Sequence, residues 1–196
     1  MRWLGHRSCV VIILAFGTCV PSSRAQTEPP KTATAKIESL TAQRCGVDQN
    51  RPPQHIFADP DGKQSWREYR SVKDVPELQN DAGEFAGVWA GRDGSVLVST
   101  QEPGEDFAAY TDYCFDSTGQ LVQLRFQLRT AWGWGYREEG PIRNGILTAK
   151  TAEFFDTKTE RRIVRPEQAA DIPDALKPRL YTRKSKLPFF KLLSKN

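Results

Sequence analysis

The sequence predicts a mainly β fold, an antiparallel meander of about six to eight strands curled into an open sheet, barrel or sandwich, with short helices near its ends. If those helices cover one face, the class becomes α+β. Three observations carry the prediction. Val122, Leu124, Phe126 and Leu128 alternate with Gln123, Arg125, Gln127 and Arg129, the period-two pattern of a half-buried strand. Turn signals punctuate the chain at Gly91-Arg92-Asp93-Gly94, Asp116-Ser117-Thr118-Gly119 and Asn144-Gly145. The composition, 38% hydrophobic and 27% charged over 196 residues, suits one globular domain. It excludes a multi-span membrane protein, a coiled coil and a collagen-like chain.

Residues 1–25 have the pattern of a secretory signal: Arg2 and Arg7, an apolar run from Val10 to Phe16, then Ser23-Arg24-Ala25 as a cleavage site. The run is shorter than the roughly 20 residues a spanning helix needs. A lipoprotein reading fits less well, because Phe16-Gly17-Thr18 before Cys19 lacks the lipobox pattern. Cleavage near Ala25 implies an exported chain, periplasmic or extracellular. It removes three of the 28 basic residues and none of the 24 acidic ones, leaving a net charge of +1. So small a charge gives no reason to expect nucleic acid as a partner. Cleavage also removes Cys9 and Cys19. Cys45 and Cys114 are then the remaining thiols, and in an oxidising compartment they are expected to form one disulfide.

Residues 26–44 are polar and contain Pro29-Pro30, the signature of a flexible linker in which Thr34 to Gln43 could add a short helix. A single β-rich domain is expected over 45–176. From Cys45 to Gln64, Pro52, Pro53 and Asp59-Pro60-Asp61-Gly62 signal turns rather than strands. Val88 to Ala90 and Val96 to Val98 read as a hairpin around Gly91–Gly94. For the next hairpin, a four-residue loop would set Tyr113 opposite Val122, Thr111 opposite Leu124 and Ala109 opposite Phe126. Apolar residues then meet on one face, and Cys114, Asp112 and Tyr110 lie on the other with Leu121. A disulfide from Cys114 would draw the Cys45 segment across that second face. Phe155-Asp156-Thr157 echoes Phe115-Asp116-Ser117 and leads to another strand at Arg161 to Val164. Glu167 to Leu176 could form a short helix broken by Pro173.

Catalytic signatures are scarce. No nucleophile elbow, phosphate-binding loop or dinucleotide fingerprint occurs. His55 alone remains after cleavage, so neither a metal site nor a cofactor is expected. Asp59-Pro60-Asp61-Gly62 lacks the later ligands of a calcium loop. The acidic clusters Glu102, Glu105, Asp106 and Glu138-Glu139 would serve a glycosidase only if two carboxylates converge. Trp132, Trp134 and Tyr136 share one strand parity. They form either a row that stacks on sugar rings or, if the preceding strand runs on, part of the core. The basic tail 177–196 carries seven cations and no acid. Arg183, Lys184, Lys186 and Lys191, with Phe189 and Phe190, suit docking to an anionic membrane surface or an envelope protein, or else the tail folds back onto the acidic body. The sequence therefore points to an exported, non-enzymatic domain that binds or scaffolds a partner at the cell envelope. The alternative is a carbohydrate-binding module or glycosidase acting on polysaccharide.

Overall fold

The computed structural model describes residues 39–76 and 83–194; the expected signal segment 1–25 and residues 26–38 of the linker lie outside them. Ten antiparallel strands form one open sheet: β1 (His55–Asp59), β2 (Arg67–Tyr69), β3 (Glu84–Ala90), β4 (Val96–Pro103), β5 (Phe107–Phe115), β6 (Leu121–Thr130), β7 (Trp134–Arg143), β8 (Ile146–Leu147), β9 (Thr151–Asp156) and β10 (Arg162–Ile163). Their order is β10-β9-β7-β6-β5-β4-β3-β1-β2, with β8 paired to β7. The fold is mainly β as expected; the strands make one sheet, and β2 and β10 do not pair, so it does not close into a barrel. The helices are short: α1 (Leu40–Arg44) and α2 (Phe190–Leu193).

The sheet exceeds the expected strand count because β1 lies where turns were predicted. It fits between Pro53 and Pro60, and four of its five residues are buried. A strand covered on both faces shows no alternation, and that removes its signal from the sequence. The helix expected over Glu167–Leu176 contracts to a 3₁₀ turn at Glu167–Ala170.

The β5–β6 hairpin keeps its predicted faces but not its predicted register. Tyr113 pairs with Leu124, Thr111 with Phe126 and Ala109 with Leu128, each two residues further along β6 than expected. Two single-residue shifts combine to give this. Asp116 N–H bonds to the carbonyl of Gln120, making a three-residue loop, and Asp116 Oδ1 also accepts from the amides of Thr118 and Gln120. A bulge at Val122 supplies the second shift, with Phe115 opposite Leu121 and Cys114 opposite Gln123. An even displacement preserves which side chains face the core. Between loop and bulge the parity inverts, so Leu121 joins the main core and Val122 the opposite face, the reverse of the expected placement. Asn144 and Gly145, at φ 53° and 75°, make the predicted tight turn between β7 and β8.

The main core face carries Phe57, Val88, Val98, Tyr113, Leu124, Phe126 and Leu128. An open sheet cannot bury such a face by closing on itself, and here the C-terminal segment covers it. Prolines at 166, 173, 178 and 188 keep that segment from forming a long helix or strand. It is fastened by the Tyr113 hydroxyl donating to the Arg179 carbonyl (2.9 Å), Leu121 N–H to the Thr182 carbonyl (3.0 Å) and Lys184 N–H to the Gly119 carbonyl (2.8 Å). Phe189, 1% exposed, stacks on Phe57 and tilts against Trp66, each at 4.8 Å.

The opposite face is covered in two ways. Under α1, Cys45 and Cys114 form the expected disulfide, with Cα atoms 5.6 Å apart, among Ala42, Val47 and Leu97. Thr41 donates from its amide and its hydroxyl to Glu139 Oε1 at 2.6 and 2.8 Å, tying α1 to β7. Further along the face, Phe155 lies over Gly135, where any Cβ would come within 2.3 Å of its ring. The Arg129 and Arg137 guanidinium groups cover that ring at 5.5 and 4.8 Å.

If Phe189 fastens the strap, Phe189→Ala lowers unfolding stability by roughly 3–5 kcal/mol, as expected for a large buried aromatic. Lys191→Ala, an exposed change on the same segment, stays within about 0.5 kcal/mol of wild type. Urea titrations followed by circular dichroism measure both.

Candidate functional site

The aromatic run does not continue β6. That strand ends at Thr130 and the chain reverses through Ala131-Trp132-Gly133 before β7 begins. Gly133 takes φ 87°, and Ala131 N–H bonds to the Asp106 carbonyl. The reversal divides the three rings. Trp132 stands at the tip, 46% exposed; Trp134 is 4% exposed and Tyr136 is half-buried. Trp132 stacks on Trp134 at 6.1 Å, and Trp134 and Tyr136 both contact Phe154. Trp134 Nε1 is buried without a hydrogen-bond partner. The expected row of rings thus offers one open aromatic face, that of Trp132. The glycine face opposite is closed by Phe155 at Gly135.

The carboxylates singled out in the sequence, Glu102, Glu105, Asp106, Glu138 and Glu139, do not converge on one another as a pair. Glu138 and Glu139 are neighbours on β7 and so face opposite sides of the sheet. Glu138 accepts from the Tyr136 hydroxyl at 2.9 Å, and Glu139 holds Thr41. Burial pushes the Glu138 carboxyl up, with the Tyr136 hydrogen bond opposing. Glu105 and Asp106 are exposed at the β4–β5 turn, but Glu102 turns towards the strap. His55 Nδ1 lies 2.7 Å from Glu68 Oε1 across β1 and β2, a cross-strand pair. Asp59 organises its own loop, accepting from the amides of Gln64 and Ser65. Among the described residues, no group of three or more His, Cys, Asp or Glu side chains is arranged to hold a metal.

The segment from Lys177 onward divides into two parts. Arg179 bridges Glu84 and Glu102 at 3.2 Å each, and Lys177 pairs with Asp174 at 3.0 Å. Beneath them lies a cavity of about 410 Å³ walled by Phe107, Phe126, Glu84, Glu102, Lys177 and Arg179. Nothing in the sequence marked this clamp, because its members come from β3, β4 and a segment with no periodic pattern. Burial raises the Glu102 carboxyl above its usual range; Arg179 opposes the shift and Glu84 adds to it.

The second part holds Arg183, Lys184, Lys186 and Lys191, which form no ion pair among the described residues. Three are exposed and Lys184 is half-buried. Of the expected docking residues, Phe189 is not available at the surface, because its ring is in the core, and Phe190 is half-buried. The side chains between the cations thus serve as anchors, fixing four positive charges on an ordered segment. Among the described residues, no helix is long and apolar enough to cross a membrane.

The raised Glu102 carboxyl gives a pH prediction with a definite sign. Its folded-state pKa lies above the unfolded value, so this group's contribution to stability improves as pH falls through the folded pKa towards about 4.5. Urea midpoints of wild type minus those of Glu102→Gln should rise over that interval; a flat difference contradicts the assignment. No known protein family matches the chain, and neither does any curated protein or solved structure.

Proposed function

We propose that this chain is an exported, non-enzymatic domain that docks at the cell envelope, against an anionic membrane surface, through Arg183, Lys184, Lys186 and Lys191. The observation that carries the reading is a set of four cations, without an ion pair among the described residues, on a segment fixed to the domain by Leu187 and Phe189. A fixed segment loses less conformational entropy on binding than a free tail. Export is supported by the charge and apolar pattern of residues 1–25 and by a disulfide that suits an oxidising compartment. The non-catalytic part of the reading is supported by Glu102, Glu138 and Glu139, each engaged by a different structural partner.

Cations beside an anionic bilayer contribute about 1 kcal/mol each. Replacing all four by Gln should therefore reduce sedimentation with phosphatidylglycerol vesicles by on the order of 100-fold or more at low salt. The unfolding midpoint should stay unchanged. Wild-type protein that fails to sediment with these vesicles, or sediments equally with phosphatidylcholine vesicles, overturns the reading. Retained binding by the variant overturns it as well.

A second reading, polysaccharide binding, is favoured by the exposed face of Trp132 alone. On that reading, soluble envelope polysaccharide shields tryptophan emission from acrylamide in wild type, and Trp132→Ala removes the shielding. Quenching that ignores polysaccharide disposes of it.

A further inference from the structure

The sheet ends at β10, and no strand lies beyond it among the described residues. β10 is only two residues long and is flanked by Arg161, Arg165 and Pro166, the short and charged form that resists indiscriminate pairing and leaves the edge open to a partner of opposite charge. Val164, which follows it, is 89% exposed. Ala152, Phe154, Ile163 and Val164 form the apolar wall of an open groove of about 720 Å³ along this edge.

The backbone of the edge is ready to pair. Asp156 N–H bonds to the Arg161 carbonyl, and Ile163 sits opposite Phe154. In an antiparallel ladder the inward- and outward-pointing residues alternate. Arg161 and Ile163 therefore point their amide and carbonyl groups at β9, and Arg162 and Val164 point theirs away from the sheet.

Charge chooses the occupant. Among the described residues Arg161, Arg162 and Arg165 have no ion-pair partner, although the neighbouring Arg129 and Arg137 are committed to Glu160 and Glu153. Arg165 also rests over the Phe154 ring at 6.0 Å. A second copy pairing antiparallel at this edge would set arginine against arginine, a destabilising arrangement. The chain's own residues 26–38 carry two Lys and two Glu and offer no net complement.

We infer that the β10 edge binds an extended acidic segment of a partner protein by strand addition, its backbone pairing with Arg162 and Val164 and its carboxylates meeting Arg161, Arg162 and Arg165. The inference uses a surface separate from the cationic C-terminal segment and does not depend on membrane docking.

The test uses the full chain and a blocked, fluorescein-labelled peptide in which pairs of glutamates alternate with pairs of valines, so that carboxylates stand on both faces of the added strand. Anisotropy should report salt-sensitive binding of this peptide. The same peptide with lysine in place of glutamate should not bind. Val164→Pro removes an outward amide at a position where an edge strand tolerates proline. It should weaken binding roughly tenfold or more, with an unchanged unfolding midpoint. Should that variant unfold, Arg161→Gln/Arg162→Gln carries the same expectation. The Gln variant of Arg183, Lys184, Lys186 and Lys191 should bind the peptide as wild type does, which separates this site from vesicle docking. Equal binding of the lysine peptide, or unchanged binding by the edge variants, overturns the proposal. Binding of oligothymidylate at the same edge overturns it in favour of a phosphate-backbone site. A wild-type dimer in sedimentation equilibrium that dissociates in Val164→Pro overturns it in favour of self-pairing.

Discussion

An open sheet with one strongly apolar face must find a cover, and the rest of this structure follows from how that cover is supplied. The C-terminal segment crosses beneath β1 to β6, using Ala169, Tyr181, Leu187 and Phe189 as its points of contact. Burial of apolar surface supplies the attraction, and a few backbone hydrogen bonds set the position. Tyr113, fully buried, places its hydroxyl in this contact. Burial, reinforced by Glu102 and Tyr181, holds its proton well above the ordinary tyrosine range. It therefore remains a donor to the Arg179 carbonyl, and the strap's central hydrogen bond does not depend on pH over the range where carboxylates titrate.

The second face solves the same problem with different chemistry. There the apolar area is smaller, and a covalent link holds α1 over it where a larger core would otherwise be needed. In the chain-entropy view, closing a loop of about 70 residues is worth on the order of 4 kcal/mol. Beyond the helix, arginines take the place of aliphatic cover. Arg137 binds Glu153 through two nitrogens, at 2.6 and 2.8 Å, and lies over Phe155 at the same time. Guanidinium is weakly hydrated and planar, so it can shield a ring and still keep its ion pair. Sequence alternation placed Arg129 on the face opposite the main core, and there it forms part of the lid over Phe155.

The parts of the fold legible in the sequence were those governed by local periodicity. β6 announced itself by alternation, and Asn144-Gly145 and Asp116–Gly119 announced their turns. The disulfide and the side of the sheet it lies on were legible too, because parity alone places Cys114 opposite Tyr113. The missing parts depended on contacts distant in sequence. β1 is buried on both sides and flanked by prolines, so no pattern showed. The bulge at Val122 changes a register that alternation cannot count. The reversal at Ala131–Gly133 was hidden because Trp132-Gly133-Trp134-Gly135 has the same parity whether it turns or runs straight. The tail gave its charges plainly, but not which of them were already used: Arg179 and Lys177 are paired, and Arg183, Lys184, Lys186 and Lys191 have no ion pair among the described residues.

The position of Phe189, C-terminal to all ten described strands, has a consequence for the order of events in making this protein. The meander strands pair with sequence neighbours and can assemble as they emerge, since local contacts form first. Their apolar face, however, stays wet until the strap is synthesised and finds Phe57 and Trp66 near the other end of the fold. Every partly made chain therefore lacks its cover and is held short of the native state. On the export proposed above, such a delay keeps the chain threadable through a narrow translocation channel, which early folding would block.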